Sequence, residues 1–312
     1  MREERARYET VADEITEAYL RGDHTEGVAL ARAAMPDLPA WRADLAHLAA
    51  CLLALGGRPE EAYEELRAAF AAGAWWHRRI LLEDDDLADL AGIEGFADFV
   101  RESQARADAA ADTTRPPLLR RPEGEPHGLL VTLHGAGEEA EDAATEWAAA
   151  LDAGCVLLAV DSSQRNTPTY RSWPDPEVAA RDIATAVAGL DAADRDLPLV
   201  TGGFSAGARP AMRWALAGSP GTPVGFVAVA PAVFPTDLDP ALVRAGADRG
   251  VPGVILLGEK DDDVGEGAQA TYESLRQAGL ACRLDVVPGL GHTYPDDFDV
   301  RLRIALSSLA RN

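Results

Sequence analysis

The sequence predicts an α/β chain in two parts, a small all-α region followed by a mostly parallel sheet flanked by helices. Two observations carry this. Up to about Arg115 the chain has helical periodicity, Gly and Pro breaks, and no convincing strand. From Gly128 onward short, nearly continuous apolar runs alternate with amphipathic helical segments, the pattern of strands buried on both faces. The expected parts are a helical region at 1–112, a linker with a lead-in strand at 113–127, and a sheet-and-helix region at 128–312.

In the first part the segments VADEITEAYLRGD, HTEGVALARAAM, PAWRADLAHLAACLLALGG and RPEEAYEELRAAFAAGA are expected helices, with a last one around FADFVRESQARAD. Breaks fall at Gly22, Pro36, the Gly56–Gly57–Arg58–Pro59 run and Gly73, where Gly ends a helix and Pro opens the next. The stretch ADAAADTTRPPLLRRPEGEPHG alternates at neither period and is the linker. After it LLVTLHG, VLLAVDSS, LPLVTGGFS, VGFVAVAP, GVILLGEKD and CRLDVVPGLGH are strands, and PDDFDVRLRIALSSL is the closing helix.

Composition bounds the function. The chain has 312 residues, 47% hydrophobic and 26% charged, with a formal net charge of −23. Such a field opposes nucleic acid and anionic membranes, which are bound through clustered Lys and Arg. Lys260 is the single lysine, so Schiff-base or Ser–Lys chemistry would rest on it alone. Cys51, Cys155 and Cys282 sit in apolar runs and are expected to be small buried residues of a reducing compartment. The N-terminal MREERARYETVADEITEAYL lacks the apolar core of a signal peptide, so a cytoplasmic protein is expected. No cofactor and no metal site is expected.

Function is sought where open α/β sheets bind ligands, outside the carboxyl ends of the strands. Gly203-Phe204-Ser205-Ala206-Gly207 follows one apolar run and precedes a helix, which is the G-x-S-x-G nucleophile turn in the context it requires. A serine hydroxyl needs a neighbouring base. His292, after the last strand, is the candidate. His24, His47 and His77 fall in the helical part and His127 precedes the first strong strand. The orienting acid belongs after the penultimate strand. Gly258-Glu259-Lys260-Asp261-Asp262-Asp263-Val264 stands there, and the G-x-x-D-x-x-V pattern selects Asp261 over Asp263 and Glu259. An acidic metal site is disfavoured because the remaining oxygen ligands and the glycine spacing are missing.

The developing oxyanion needs backbone donors. One is the N–H of Ala206. The other is expected in Leu133-His134-Gly135-Ala136-Gly137, which resembles the HG-x-G loop of esterases, with Ala136 first and Gly137 second. His134 is expected to hold this loop. With HGAG, GFSAG, GEKDDDV and GLGH in order, residues from about 128 to 312 resemble the α/β-hydrolase superfamily. They are most similar to the small, lidless phospholipase/carboxylesterase and dienelactone-hydrolase-like groups, although dienelactone hydrolases use cysteine where this chain has Ser205. Residues 25–100 resemble a tetratricopeptide-type unit.

The resemblance implies a serine hydrolase that cleaves a small carboxylic ester or thioester through a Ser205 acyl-enzyme, with Tyr170 and Trp173 bordering the substrate. The alternatives are an amide or peptide hydrolase, and a helical-repeat interaction protein whose hydrolase part is secondary or only binds a ligand. A homodimer or protein partner would use the N-terminal helices. Because every candidate residue follows Gly128, residues from about 116 onward are expected to fold and act alone.

Overall fold

The computed structural model describes residues 2–110 and 115–309. It resolves into two compact units, one of residues 1–113 together with 165–170, the other of 114–164 and 171–312. The stretch 111–114, where the sequence places the end of the helical region, lies outside the described residues.

The first unit is all helical apart from the inserted segment. Its helices are α1 (Arg2–Leu20), α2 (His24–Ala34), α3 (Arg42–Leu55), α4 (Pro59–Ala71), α5 (Arg78–Leu82) and α6 (Phe96–Ala110). A 3-10 turn at Pro39–Trp41 leads into α3, and a longer 3-10 stretch, Asp85–Gly92, precedes α6. Asp23 caps α2 through the N–H of Glu26, and Pro59 opens α4, as helix starts require. α3 is apolar on almost every side and forms the centre of the unit, with Leu45, Ala46, Ala49 and Leu53 at most 1% exposed. Trp76 is fully buried against it and donates its indole N–H to the carbonyl of Ala43, while Ser103 Oγ bonds both backbone groups of Trp76.

Residues Arg165–Tyr170 complete this unit, a placement the sequence did not announce. Asp44 of α3 is 7% exposed, and its carboxylate accepts the hydroxyls of Thr167 (2.8 Å) and Thr169. The His77 N–H bonds the carbonyl of Asn166 at 2.7 Å, and the Arg165 guanidinium stands 5.1 Å from the Trp75 ring centre. Burial raises the Asp44 pKa above the usual carboxylate range and the two threonine bonds act against it.

The second unit is a seven-stranded sheet: β1 (Leu118–Arg120), β2 (Gly128–Leu133), β3 (Cys155–Val160), β4 (Leu199–Phe204), β5 (Gly225–Val229), β6 (Gly253–Gly258) and β7 (Cys282–Val287), in the order β1-β3-β2-β4-β5-β6-β7. Only β1 is antiparallel, pairing Leu119 with Leu158 at the edge. β2 to β6 are buried at every position, hence their unbroken apolar runs. Helices cover both faces: α7 (Ala140–Glu146), α8 (Ala149–Asp152), α9 (Pro176–Ala188), α10 (Ala192–Arg195), α11 (Ala208–Ala217), α12 (Pro240–Asp248), α13 (Gly265–Gln277) and α14 (Phe298–Leu309). Trp147, Phe298 and Leu302 pack one face; Trp173, Ile183 and Trp214 pack the other. β3 and β4 flank β2 on opposite sides, so the strand order reverses there, and the carboxyl ends of β2 and β4 stand at the point where open α/β sheets bind ligands.

The three cysteines are buried and free. No helix among the described residues is long and apolar enough to cross a membrane.

Candidate active site

β4 ends in a turn that forces its last residues together. Ser205 adopts φ +48°, a left-handed conformation that is costly for a side-chain-bearing residue. The turn closes only because its flanks are glycine. A Cβ on Gly203 would lie 2.4 Å from the Gly207 carbonyl oxygen, and one on Gly207 would lie 2.3 Å from that of His134. The turn is pinned from β5 as well, since the Ala232 N–H bonds the Ser205 carbonyl at 3.1 Å. The 3-10 turn Ser205–Gly207 then opens α11.

His292 stands between β7 and α14, with its side chain 24% exposed. Its ring spans two partners through opposite nitrogens: Nδ1 is 3.0 Å from Asp261 Oδ2 and Nε2 is 2.9 Å from Ser205 Oγ. The Asp261 side chain is fully buried, and its other oxygen accepts the N–H of Val264 at 3.2 Å. Asp263 is exposed, and its carboxylate lies within 4.8 Å of the Asp261 and His292 ligand atoms without the close bond that Asp261 makes. Glu259 has a different task, accepting the Gly289 N–H at 2.9 Å and so tying the histidine loop to the end of β6. Lys260 donates its N–H to Leu290, and a Cβ on Gly258 would strike the carbonyls of Leu290 and Gly291 at 2.4 Å. The acid and histidine loops touch at this point, backbone to backbone.

The His134-Gly135-Ala136-Gly137 loop packs against the same turn. His134 is wholly buried, and Nε2 accepts the Ser162 N–H at 3.1 Å while Nδ1 meets the Gly135 carbonyl at 2.6 Å. The two partners fix the tautomer with the proton on Nδ1. Burial lowers its pKa to about 4, so the ring is neutral near pH 7. Glu138 Oε2 accepts the Gly135 N–H at 2.7 Å. The Gly137 N–H is already donated to the Arg171 carbonyl at 2.8 Å, which leaves Ala136 as the better of the two donors expected in this loop.

Two residues are expected from the sequence to border the substrate, Trp173 and Tyr170. Trp173 is 1% exposed, packs on the His134 ring at 5.1 Å and donates its indole N–H to the His134 carbonyl at 2.8 Å. It therefore braces the loop from inside and offers a substrate almost no surface. Tyr170 belongs to the segment counted with the helical unit, where its N–H bonds Thr167 Oγ1 and burial raises its phenol pKa.

Three positioning residues escaped the sequence reading. Phe204 packs on His292 at 5.3 Å and stacks on Tyr294 at 4.4 Å, and the Tyr294 hydroxyl accepts the Trp147 indole N–H at 3.1 Å. Glu138 is the third. Its place three residues after Gly135, where a side chain reaches back to a backbone N–H, was a readable signal.

No family model matches the chain, and no curated protein does. Among solved structures, an uncharacterized protein from Bacillus cereus is 25% identical with a TM-score of 0.56, covering 97% of this chain and 99% of that one. Esterase PE8 is 21% identical with a TM-score of 0.54, covering 63% of this chain and 100% of its own. TT1662 from Thermus thermophilus is 24% identical with a TM-score of 0.52, covering 64% and 98%. The sheet order and these likenesses together show that the chain has the α/β-hydrolase fold, with an all-helical region before it.

Proposed function

We propose that the protein is a serine hydrolase that cleaves a small carboxylic ester or thioester, with Ser205 as nucleophile, His292 as base and Asp261 as its orienting acid. The observation that carries this reading is the bridging of Asp261 and Ser205 by opposite nitrogens of one imidazole. Ser205 Oγ attacks the carbonyl carbon as its proton passes to His292 Nε2. The imidazolium is stabilised by Asp261 and gives that proton to the departing alcohol or thiol. Water then enters, loses a proton to His292, and releases the acid from Ser205 by the reverse sequence. The backbone N–H groups of Ala206 and Ala136 are the donors to the tetrahedral oxyanion.

The fold of esterase PE8 supports the ester class. The connection from β5 to β6 holds only a short 3-10 turn and α12, too little for a large lid, which favours soluble substrates over lipid at an interface. Phe234, 58% exposed and two residues beyond the Ala232 N–H that bonds the Ser205 carbonyl, is assigned on this reading as an apolar surface for the acyl or alcohol group. A fluorophosphonate probe is the direct test. Stoichiometric labelling of Ser205 alongside turnover of a short-chain p-nitrophenyl ester is expected, and a chain that neither labels nor hydrolyses refutes the reading.

A further inference from the structure

A second set of chemistry-bearing side chains converges in the helical unit, where the sequence suggested nothing. His47 and Cys51 lie one turn apart on α3, spaced i, i+4 so that they share a face. Asp84 stands at the start of the 3-10 stretch Asp85–Gly92. His47 Nε2 is 3.1 Å from Asp84 Oδ2, and Cys51 Sγ is 3.7 Å from each of those two atoms.

A hydrogen-bonded relay would use the ring differently. In a nucleophile–base–acid arrangement the imidazole bridges its partners through opposite nitrogens, as His292 does. Here Nε2 faces both the carboxylate and the sulfur, and Nδ1 is the more distant nitrogen, at 4.0 Å from Sγ. One ring nitrogen carries either a proton or a lone pair, so Nε2 cannot donate to Asp84 and accept from Cys51 together. Nε2–H and the Cys51 thiol can each donate to Asp84 Oδ2, so no proton relay runs through the ring, and the three ligand atoms converge on a common point.

Their separations are those of a metal's ligands. Tetrahedral Zn²⁺ with bonds of about 2.3 Å to sulfur and about 2.0–2.1 Å to nitrogen and oxygen sets S···N and S···O edges near 3.5 Å and an N···O edge near 3.3 Å. The observed 3.7, 3.7 and 3.1 Å fall about 0.2 Å from those edges. One thiolate and one carboxylate also neutralise a dication, and the sulfur and imidazole donors suit zinc over magnesium or calcium. The carboxylate is oriented in advance, because Asp84 Oδ1 accepts the Asp86 N–H at 3.0 Å and leaves Oδ2 for the cluster. Cys51 is 7% exposed, whereas the His47 and Asp84 side chains are 16% and 28% exposed, so water reaches the open side as the fourth ligand.

We propose that His47 Nε2, Cys51 Sγ and Asp84 Oδ2 form a tetrahedral Zn²⁺ site that ties α3 to the segment before α6. On binding, the Cys51 thiol gives up its proton to solvent and becomes the thiolate ligand. The site is independent of Ser205, and its failure would leave the hydrolase reading standing.

Co²⁺ is the probe, added to the full-length chain after chelator treatment. The expected result is one equivalent bound, with the strong visible absorption of four-coordinate cobalt and a near-ultraviolet thiolate-to-cobalt band, both bleached by Zn²⁺. Cys51→Ser should remove the thiolate band and weaken Co²⁺ binding more than about 100-fold, as should His47→Gln, while Cys155→Ser and Cys282→Ser leave both unchanged. Should Cys51→Ser fail to fold, the wild-type spectrum and His47→Gln still decide. A wild-type spectrum without the thiolate band, a six-coordinate spectrum, or a band that survives in Cys51→Ser or vanishes in Cys155→Ser overturns the proposal.

Discussion

His134 and His292 both follow a strand of the same sheet, and both pack near Ser205, yet their surroundings are opposite. His134 is fully buried, both ring nitrogens are engaged by backbone groups, and burial holds it neutral with a pKa of about 4. His292 is partly exposed and its nitrogens meet two side chains, one of which is a hydroxyl. On the proposed reading, a strand end alone therefore does not make a base. The ring must face a group with a proton to give and an acid that welcomes the resulting charge.

The sharpest way to break this contrast is to remove each partner in turn. Ser205→Ala and His292→Ala should each lower kcat on a short-chain ester by about 10⁶-fold, with the melting temperature almost unchanged. Asp261→Asn should cost about 10⁴-fold by disturbing the tautomer and charge of His292, whereas Asp263→Asn should stay within a few-fold. Equal losses in the two variants would reverse the choice of acid. His134→Ala should show the opposite signature, a clear fall in melting temperature with partial activity. The Ser162 N–H and Gly135 carbonyl each lose a buried partner, at about 1–3 kcal/mol apiece.

The same comparison has a pH arm. The folded state holds His134 at about 4 against an ordinary 6.5. The unfolded chain thus takes up this proton first as pH falls. The stability contribution is complete above about 6.5, is lost between there and about 4, and amounts to roughly 3 kcal/mol at most. Urea midpoints at pH 7 and pH 4.5 should therefore differ less in His134→Gln than in wild type, and equal differences would remove His134 as the cause. The smallest expected effect is on binding. Phe234→Ala should raise KM for a hydrophobic ester several-fold while kcat stays near wild type.

Much of the sheet and of its strand-end residues was legible because the signals are local. Unbroken apolar runs mark β2 to β6, and Gly203 and Gly207 flank a serine whose turn tolerates no Cβ on either side. Ser205, Asp261 and His292 could be picked by position in the chain, and their side chains meet. What escaped depends on distant groups. Gly137 ranks second to Ala136 as a donor on sequence, but that the Arg171 carbonyl, far along the chain, takes its N–H is visible only in the fold. Trp173 looks like a loop aromatic because its neighbours are polar, and only the fold shows its indole N–H turned inward onto His134. His47 and Cys51 are four residues apart on one helix, but no spacing in the sequence ties Asp84 to them, since a later 3-10 turn brings it there.

The two threonines that satisfy Asp44 bear on how this chain comes off the ribosome. Thr167 follows Asp44 by 123 residues, so at ~5–20 residues per second the nascent helical unit waits roughly 6–25 s for its last segment. During that interval the carboxylate lacks the hydroxyls that compensate its burial in the finished protein. The helices can assemble early, but they cannot lock until β2, β3 and the loop beyond have been made. A unit that looks N-terminal is thus finished from the middle of the gene, and a cut at its apparent end separates it from part of itself.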